Sequence, residues 1–125
     1  MVCIGVIGAM EEEVSSLIKQ MEDAESKTIA GMTFYRGTLW NQQAVVVKSG
    51  IGKVNMAICT QILSDVYEVD MVINTGVAGG LYKDINVGDI VISSDALQHD
   101  FDVTGLGYER GVIPDMETSV FQADT

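Results

Sequence analysis

Three short, almost wholly apolar runs, each bounded or entered by glycine, limit what this chain can fold into. They are "VCIGVIG" ending at Gly8, "VDMVINTG" ending at Gly76, and "VGDIVISSD", entered through the Gly88-Asp89 turn. A strand with one wet face alternates apolar and polar residues. A run that is apolar throughout reads as a strand buried on both faces, the usual state of a strand in a helix-covered parallel sheet. Helical patterns fall between the runs. Val14, Leu17, Ile18 and Met21 have the spacing of one helix face, and so do Val54, Ala57, Ile58, Ile62 and Val66. "MTFYRGTLW" and "AVVVKSG" flank Asn41, Gln42 and Gln43 and read as a hairpin.

The pattern predicts an α/β fold with a mixed, mostly parallel central sheet flanked by helices and at least one antiparallel hairpin. "HDFDVTGLGYERGVIPD" has little periodicity and reads as a long functional or interfacial loop. The last clear element is a strand with no later helix to cover it, so the domain is expected to be incomplete at its C-terminal side.

With 125 residues, 47% of them hydrophobic, the chain can build one modest core. Its 18 acidic and 7 basic side chains give a formal charge of −11. That balance disfavours a nucleic-acid partner or an anionic membrane surface and suits a neutral or cationic small molecule. Cys3 and Cys59 lack metal-ligand or CxxC spacing and read as reduced, buried thiols. No apolar segment reaches the length of about 18 residues that spans a bilayer. Glu11 to Glu13 arrive too early for a signal peptide, so a cytoplasmic protein is expected.

Thirteen glycines invite a test for phosphate-binding loops. "GIGK" fails as a P-loop, because Val47 stands at the first glycine position and Val54 at the Ser/Thr position. "GIGKVN" fails as a dinucleotide fingerprint, because Asn55 replaces the third glycine. What remains is three glycine turns after strands, at Gly8-Ala9, Ser49 to Gly52, and Gly76 to Gly80, where backbone amides can approach a ligand. His99, Asp100 and Asp102 are too few and too local to argue for a metal. Ser49, Ser93 and Ser94 have no His/acid partnership to make a nucleophile.

The run Glu11-Glu12-Glu13 opens the first helix, where carboxylates complement the helix dipole whatever else they do. At 100° per residue, Glu12 points roughly 170° from the centre of the apolar face, and Glu11 and Glu13 flank it at roughly 70° and 90°. Glu12 is thus the solvated one. Geometry leaves Glu11 and Glu13 open as groups that could face a cleft.

"IGVIGAMEEEV", "KSGIGKVNMA", "VINTGVAGGL", "VGDIVIS" and "HDFDVTGLGYERG", in this order and spacing, resemble the bacterial 5'-methylthioadenosine/S-adenosylhomocysteine nucleosidases of the nucleoside phosphorylase superfamily. The resemblance runs through residues 1–125, which it identifies as the N-terminal part of a single nucleosidase domain. It implies hydrolysis of the N-glycosidic bond of the two thioadenosine nucleosides, releasing adenine, without a cofactor or metal. It assigns Glu13 as the base that activates water, and Ala9 and Met10 to the ribose and water site. It places Ile51 against the sugar and its sulfur substituent, and the backbone of Val77, Ala78 and Gly79 against the nucleoside.

By the same resemblance, Leu106 and Pro114 reach across a homodimer to close the neighbouring subunit's alkylthio pocket. Val77 stands where the family often has serine, and Leu106 where it commonly has phenylalanine. The chain has little over half the family's usual length. The Glu that grips the ribose hydroxyls and the Asp that protonates the leaving base would lie in the other part. The expectation is that these 125 residues alone are inactive and their parent is an active nucleosidase. The alternative is a truncated, non-catalytic homologue that binds a nucleoside or a partner.

Overall fold

Five strands form the main sheet of the computed structural model, which describes residues 1–124. They are β1 (Cys3–Gly8), β2 (Glu22–Ile29), β3 (Met32–Leu39), β4 (Gln42–Lys48) and β5 (Met71–Asn74). Their order is β2-β3-β4-β1-β5. β1 pairs in parallel with β4 and β5, while β3 pairs antiparallel with both β2 and β4. A mixed sheet with one parallel heart matches the class expected from sequence.

Helix α1 (Glu11–Gln20) covers one face and α2 (Lys53–Asp65) the other. Successive residues of β1 and β4 point to opposite faces, so their central residues, buried on both faces, must be apolar at consecutive positions. Val6, Ala44 and Val46 meet Val14 of α1, with Leu17, Ile18 and Met21 packed alongside. Ile7, Val45 and Val47 meet Cys59 and Leu63 of α2, beside Met32, Phe34 and Tyr67. The Phe34 and Tyr67 rings stack with centroids 5.1 Å apart.

One strand went unread, and four expectations need correcting. β2 was not legible, because "EDAESKTI" is polar and almost wholly exposed. It is an edge strand held by backbone pairing to β3, and charge on an edge discourages pairing with other chains. The tight turn between β3 and β4 is Trp40-Asn41, both with positive φ (50° and 63°), and Gln42 and Gln43 belong to β4. A primed two-residue turn matches the twist of the strands it joins.

β5 is a strand, but not a buried one. Met71, Val72 and Ile73 are 44%, 40% and 46% exposed, because among the described residues no strand pairs with its outer edge. "VGDIVISSD" forms no strand before Asp95, and Val87, Ile90 and Ile92 stand in the open. Finally, α2 is turned. Met56, Cys59, Leu63 and the following Tyr67 face the sheet, whereas Val54, Ala57, Ile58 and Val66, on the expected face, are exposed. This helix is apolar on both sides, so periodicity could not choose between them.

The described residues divide into two compact units, Met1–Gly79 and one that starts at Gly80. The second is mostly loop. It contains an antiparallel pair, β6 (Asp95–Ala96) with β7 (Phe121–Gln122), and a 3₁₀ turn at Thr104–Leu106.

Candidate active site

β4, β1 and β5 are adjacent and parallel, so their carboxyl ends open along one edge of the sheet, the edge where ligands bind in open α/β folds. Loops from these ends are tied together by backbone bonds. The Ser49 amide donates to the Gly8 carbonyl at 2.9 Å, and the Thr75 amide to the Ile7 carbonyl at 2.9 Å. The Ser49 hydroxyl, buried beneath, donates to the Gly50 carbonyl at 2.9 Å. Gly50 and Gly52 have φ of 83° and 103°, a left-handed bend that suits glycine as the chain turns from β4 into α2. Asn55 donates its Nδ2 to the Ile51 carbonyl at 2.8 Å and holds that bend.

Met10, in extended conformation, is the N-cap of α1, which makes Glu13 its third residue. A glutamate at that position can fold back over the helix start and accept from the amides that have no partner within the helix. Glu13 does so. Its Oε2 accepts from the Ala9 amide at 2.7 Å and the Met10 amide at 3.0 Å. Its Oε1 accepts from the Val77 amide, in the loop after β5, at 3.0 Å.

The Val77 amide, then that of Met10, and more weakly that of Ala9, hold the Glu13 carboxyl below its ordinary range against a smaller opposing effect of desolvation. Glu13 is therefore an ionised carboxylate at neutral pH. A carboxylate has about four acceptor positions, and with three amides bound one remains for another donor such as water.

The other two glutamates are placed differently. Glu11 is exposed and pairs with Lys48 Nζ at 3.1 Å, and Glu12 points to solvent, as its helical angle required. Of the residues singled out from sequence, Ala9, Met10, Glu13 and Val77 are joined by hydrogen bonds. Ile51, 75% exposed, and Ala78 and Gly79 lie on the loops that leave the same sheet edge. Leu106 and Pro114 belong to the second unit, whereas the carboxylate cluster is built wholly from the first.

In the sequence pattern Gly8 and Gly76 stand only as parts of turns. Each proves to flank the Glu13 side chain closely. Ser49, dismissed as a nucleophile, fastens the β1 and β4 exits.

Asp102 is committed to its own loop. It accepts from Thr104 N and Oγ1 at 3.0 and 2.7 Å and pairs with Arg110 at 2.8 Å, and the Thr104 contacts above all hold its carboxyl below the usual range. Among the described residues no three of His, Cys, Asp and Glu converge as metal ligands, and no helix is long and apolar enough to cross a membrane.

A family model described as the phosphorylase superfamily matches residues 3–124. The chain is 50% identical over 121 residues to the 5'-methylthioadenosine/S-adenosylhomocysteine nucleosidase of Bacillus cereus (strain B4264), covering 97% of this chain and 52% of that protein. The nucleosidase of that name from Colwellia psychrerythraea 34H, solved in complex with adenine, aligns with a TM-score of 0.92 at 47% identity, over 97% of this chain and 50% of that one. The one from Neisseria meningitidis, in complex with methylthio-immucillin-A, aligns with a TM-score of 0.94 at 40% identity, over 99% and 53%. The chain spans about half the length of the curated relatives it matches.

Proposed function

The chain belongs to the phosphorylase superfamily, and from that premise we propose that the full-length protein hydrolyses the N-glycosidic bond of 5'-methylthioadenosine and S-adenosylhomocysteine, releasing adenine. The observation that carries this reading is the Glu13 carboxylate, held ionised by three amides at the ligand-binding edge of the sheet.

Glu13 takes a proton from water as the water oxygen bonds to the anomeric carbon. The electrons of the breaking C–N bond leave with adenine. A carboxylate held below its usual range is a weak base, and an oxocarbenium-like sugar suits a weak base. Such a centre draws in water with little prior deprotonation, and the nearby negative charge stabilises it directly. Ala9 and Met10 border the water and ribose, Ile51 meets the sugar and its sulfur substituent, and Val77, Ala78 and Gly79 present backbone to the nucleoside. Leu106 and Pro114 close the alkylthio pocket of a second subunit in a cytoplasmic homodimer. The residue that protonates the departing adenine lies in the other half of the family's length.

Hydrolysis is favoured over phosphorolysis on charge. Holding phosphate needs free cations. At the start of α1 the chain presents Glu11, Glu12 and Glu13, and the nearby Lys48 is already paired with Glu11. The test is adenine release by the full reading frame beside the 125-residue chain, with and without phosphate. Phosphate-independent release by the full-length protein supports the reading, and a ribose-1-phosphate product would replace it with phosphorolysis.

The alternative reading is a non-catalytic homologue that binds a nucleoside or partner. Absence of turnover by the full reading frame at high enzyme concentration would select it.

A further inference from the structure

Gly76 has no side chain, and the volume a side chain would need is filled by Glu13. A Cβ on Gly76 would stand 2.5 Å from Oε1, 2.7 Å from Cδ and 3.0 Å from Oε2 of Glu13. Unbonded heavy atoms of this kind rest at about 3.5–4.0 Å. Gly76 is not among the glycines with positive φ, so its backbone would accept alanine and the need is for space alone. Gly8 narrows the slot further, since a Cβ there would lie 2.9 Å from the Glu13 Cβ and 2.6 Å from Val14 Cγ1. By contrast, a Cβ on Gly79 or Gly105 would meet nothing within 4 Å.

The residue after Gly76 is Val77, whose amide holds Oε1. The slot and the hydrogen bond are therefore set by adjacent residues. A methyl group at Gly76 must push the carboxylate away from the amide that orients it.

We propose that Gly76 is a positioning residue whose missing side chain forms the seat of the Glu13 carboxylate and fixes the direction in which Oε1 meets the attacking water. The catalytic consequence rests on the hydrolase reading above, whereas the seat rests on geometry alone.

Two measurements on the full-length protein separate these. The first is thermal unfolding of Gly76→Ala, Glu13→Ala and the double variant. Gly76→Ala should lower the Tm by about 2 °C or more in the otherwise native protein. It should lower it far less in Glu13→Ala, which removes the three atoms nearest to the new methyl. Equal losses in the two backgrounds would overturn the seat.

The second is the pH profile of adenine release. Gly76→Ala should lower kcat by about 100-fold, the scale of a misplacement of about 1 Å, with a smaller change in KM. Weakening the Val77 bond should also move the acid limb of the kcat profile upward. A simple folding defect reduces the active fraction without moving that limb, so an unmoved acid limb would overturn the positioning role. Loss of release in Glu13→Gln tests the underlying reading separately, because it does not depend on Gly76.

Discussion

The Val77 amide donates to Oε1 of Glu13 at 3.0 Å, although 64 positions separate the two residues in sequence. The contact follows from strand order. β1 lies between β4 and β5, so the loop that starts α1 and the loop that leaves β5 emerge side by side. One carboxylate thus joins a helix start to the end of a neighbouring strand, and the following expectations test that arrangement.

The amides that bind Glu13 make its charge a contributor to stability. Its folded pKa lies below its unfolded value, so this contribution is present above the ordinary glutamate range, about 4.3, and is lost as the pH falls through the depressed folded value. Denaturant unfolding from neutral pH down into the acid range should show the native protein losing stability more steeply than Glu13→Gln. Asp102 is shifted the same way, but it is present in both proteins and cancels. Parallel curves would contradict the three-amide cradle.

Glu11 and Glu12 should be dispensable where Glu13 is not. The Glu11–Lys48 pair joins side chains 63% and 50% exposed, and pairs of that kind contribute less than about 1 kcal/mol. Glu11→Gln and Glu12→Gln should each release adenine at close to the native rate with little change in Tm. A large loss in Glu11→Gln alone would move the base to Glu11.

Gly8→Ala should destabilise the fold by about 1–3 kcal/mol, the usual cost of forcing a methyl into filled space. The new methyl would meet Val14, a fully buried residue of the α1 face, as well as the stem of Glu13. Equilibrium unfolding in urea measures it, and an unchanged midpoint would mean that the turn relaxes more freely than its contacts suggest.

The orientation of α2 has its own test. Leu63 is fully buried against β1, so Leu63→Ala should cost about 2–5 kcal/mol. Ile58 is 42% exposed, and Ile58→Ala should cost clearly less. The reverse order of losses would restore the face that periodicity suggested.

These cases mark how far the sequence could be read. β1, the β3–β4 hairpin and both helices were legible because their apolar residues must be buried and their spacing says how. β2 was not, since its polar side chains carry no period and only Ile29, at its end, packs against the core. The face of α2 was hidden by apolar residues on both sides, and "VGDIVISSD" has strand composition but no strand partner over most of its length. At the candidate site, helical angles separated Glu12 from its neighbours. They could not separate Glu11 from Glu13, because that distinction comes from Lys48 and Val77, which are remote in sequence. Gly8 and Gly76 were legible as turn residues, but the slot they form exists only once Glu13 has folded back between them.

The central claim is that Glu13 activates water at the glycosidic bond. Its most direct test is the rate of adenine release from methylthioadenosine by the full-length protein and by Glu13→Gln, each shown to be folded. Removing the charge while keeping the shape should lower kcat/KM by at least about 100-fold, the scale of general-base catalysis. A Glu13→Gln protein that releases adenine at the native rate would contradict the account.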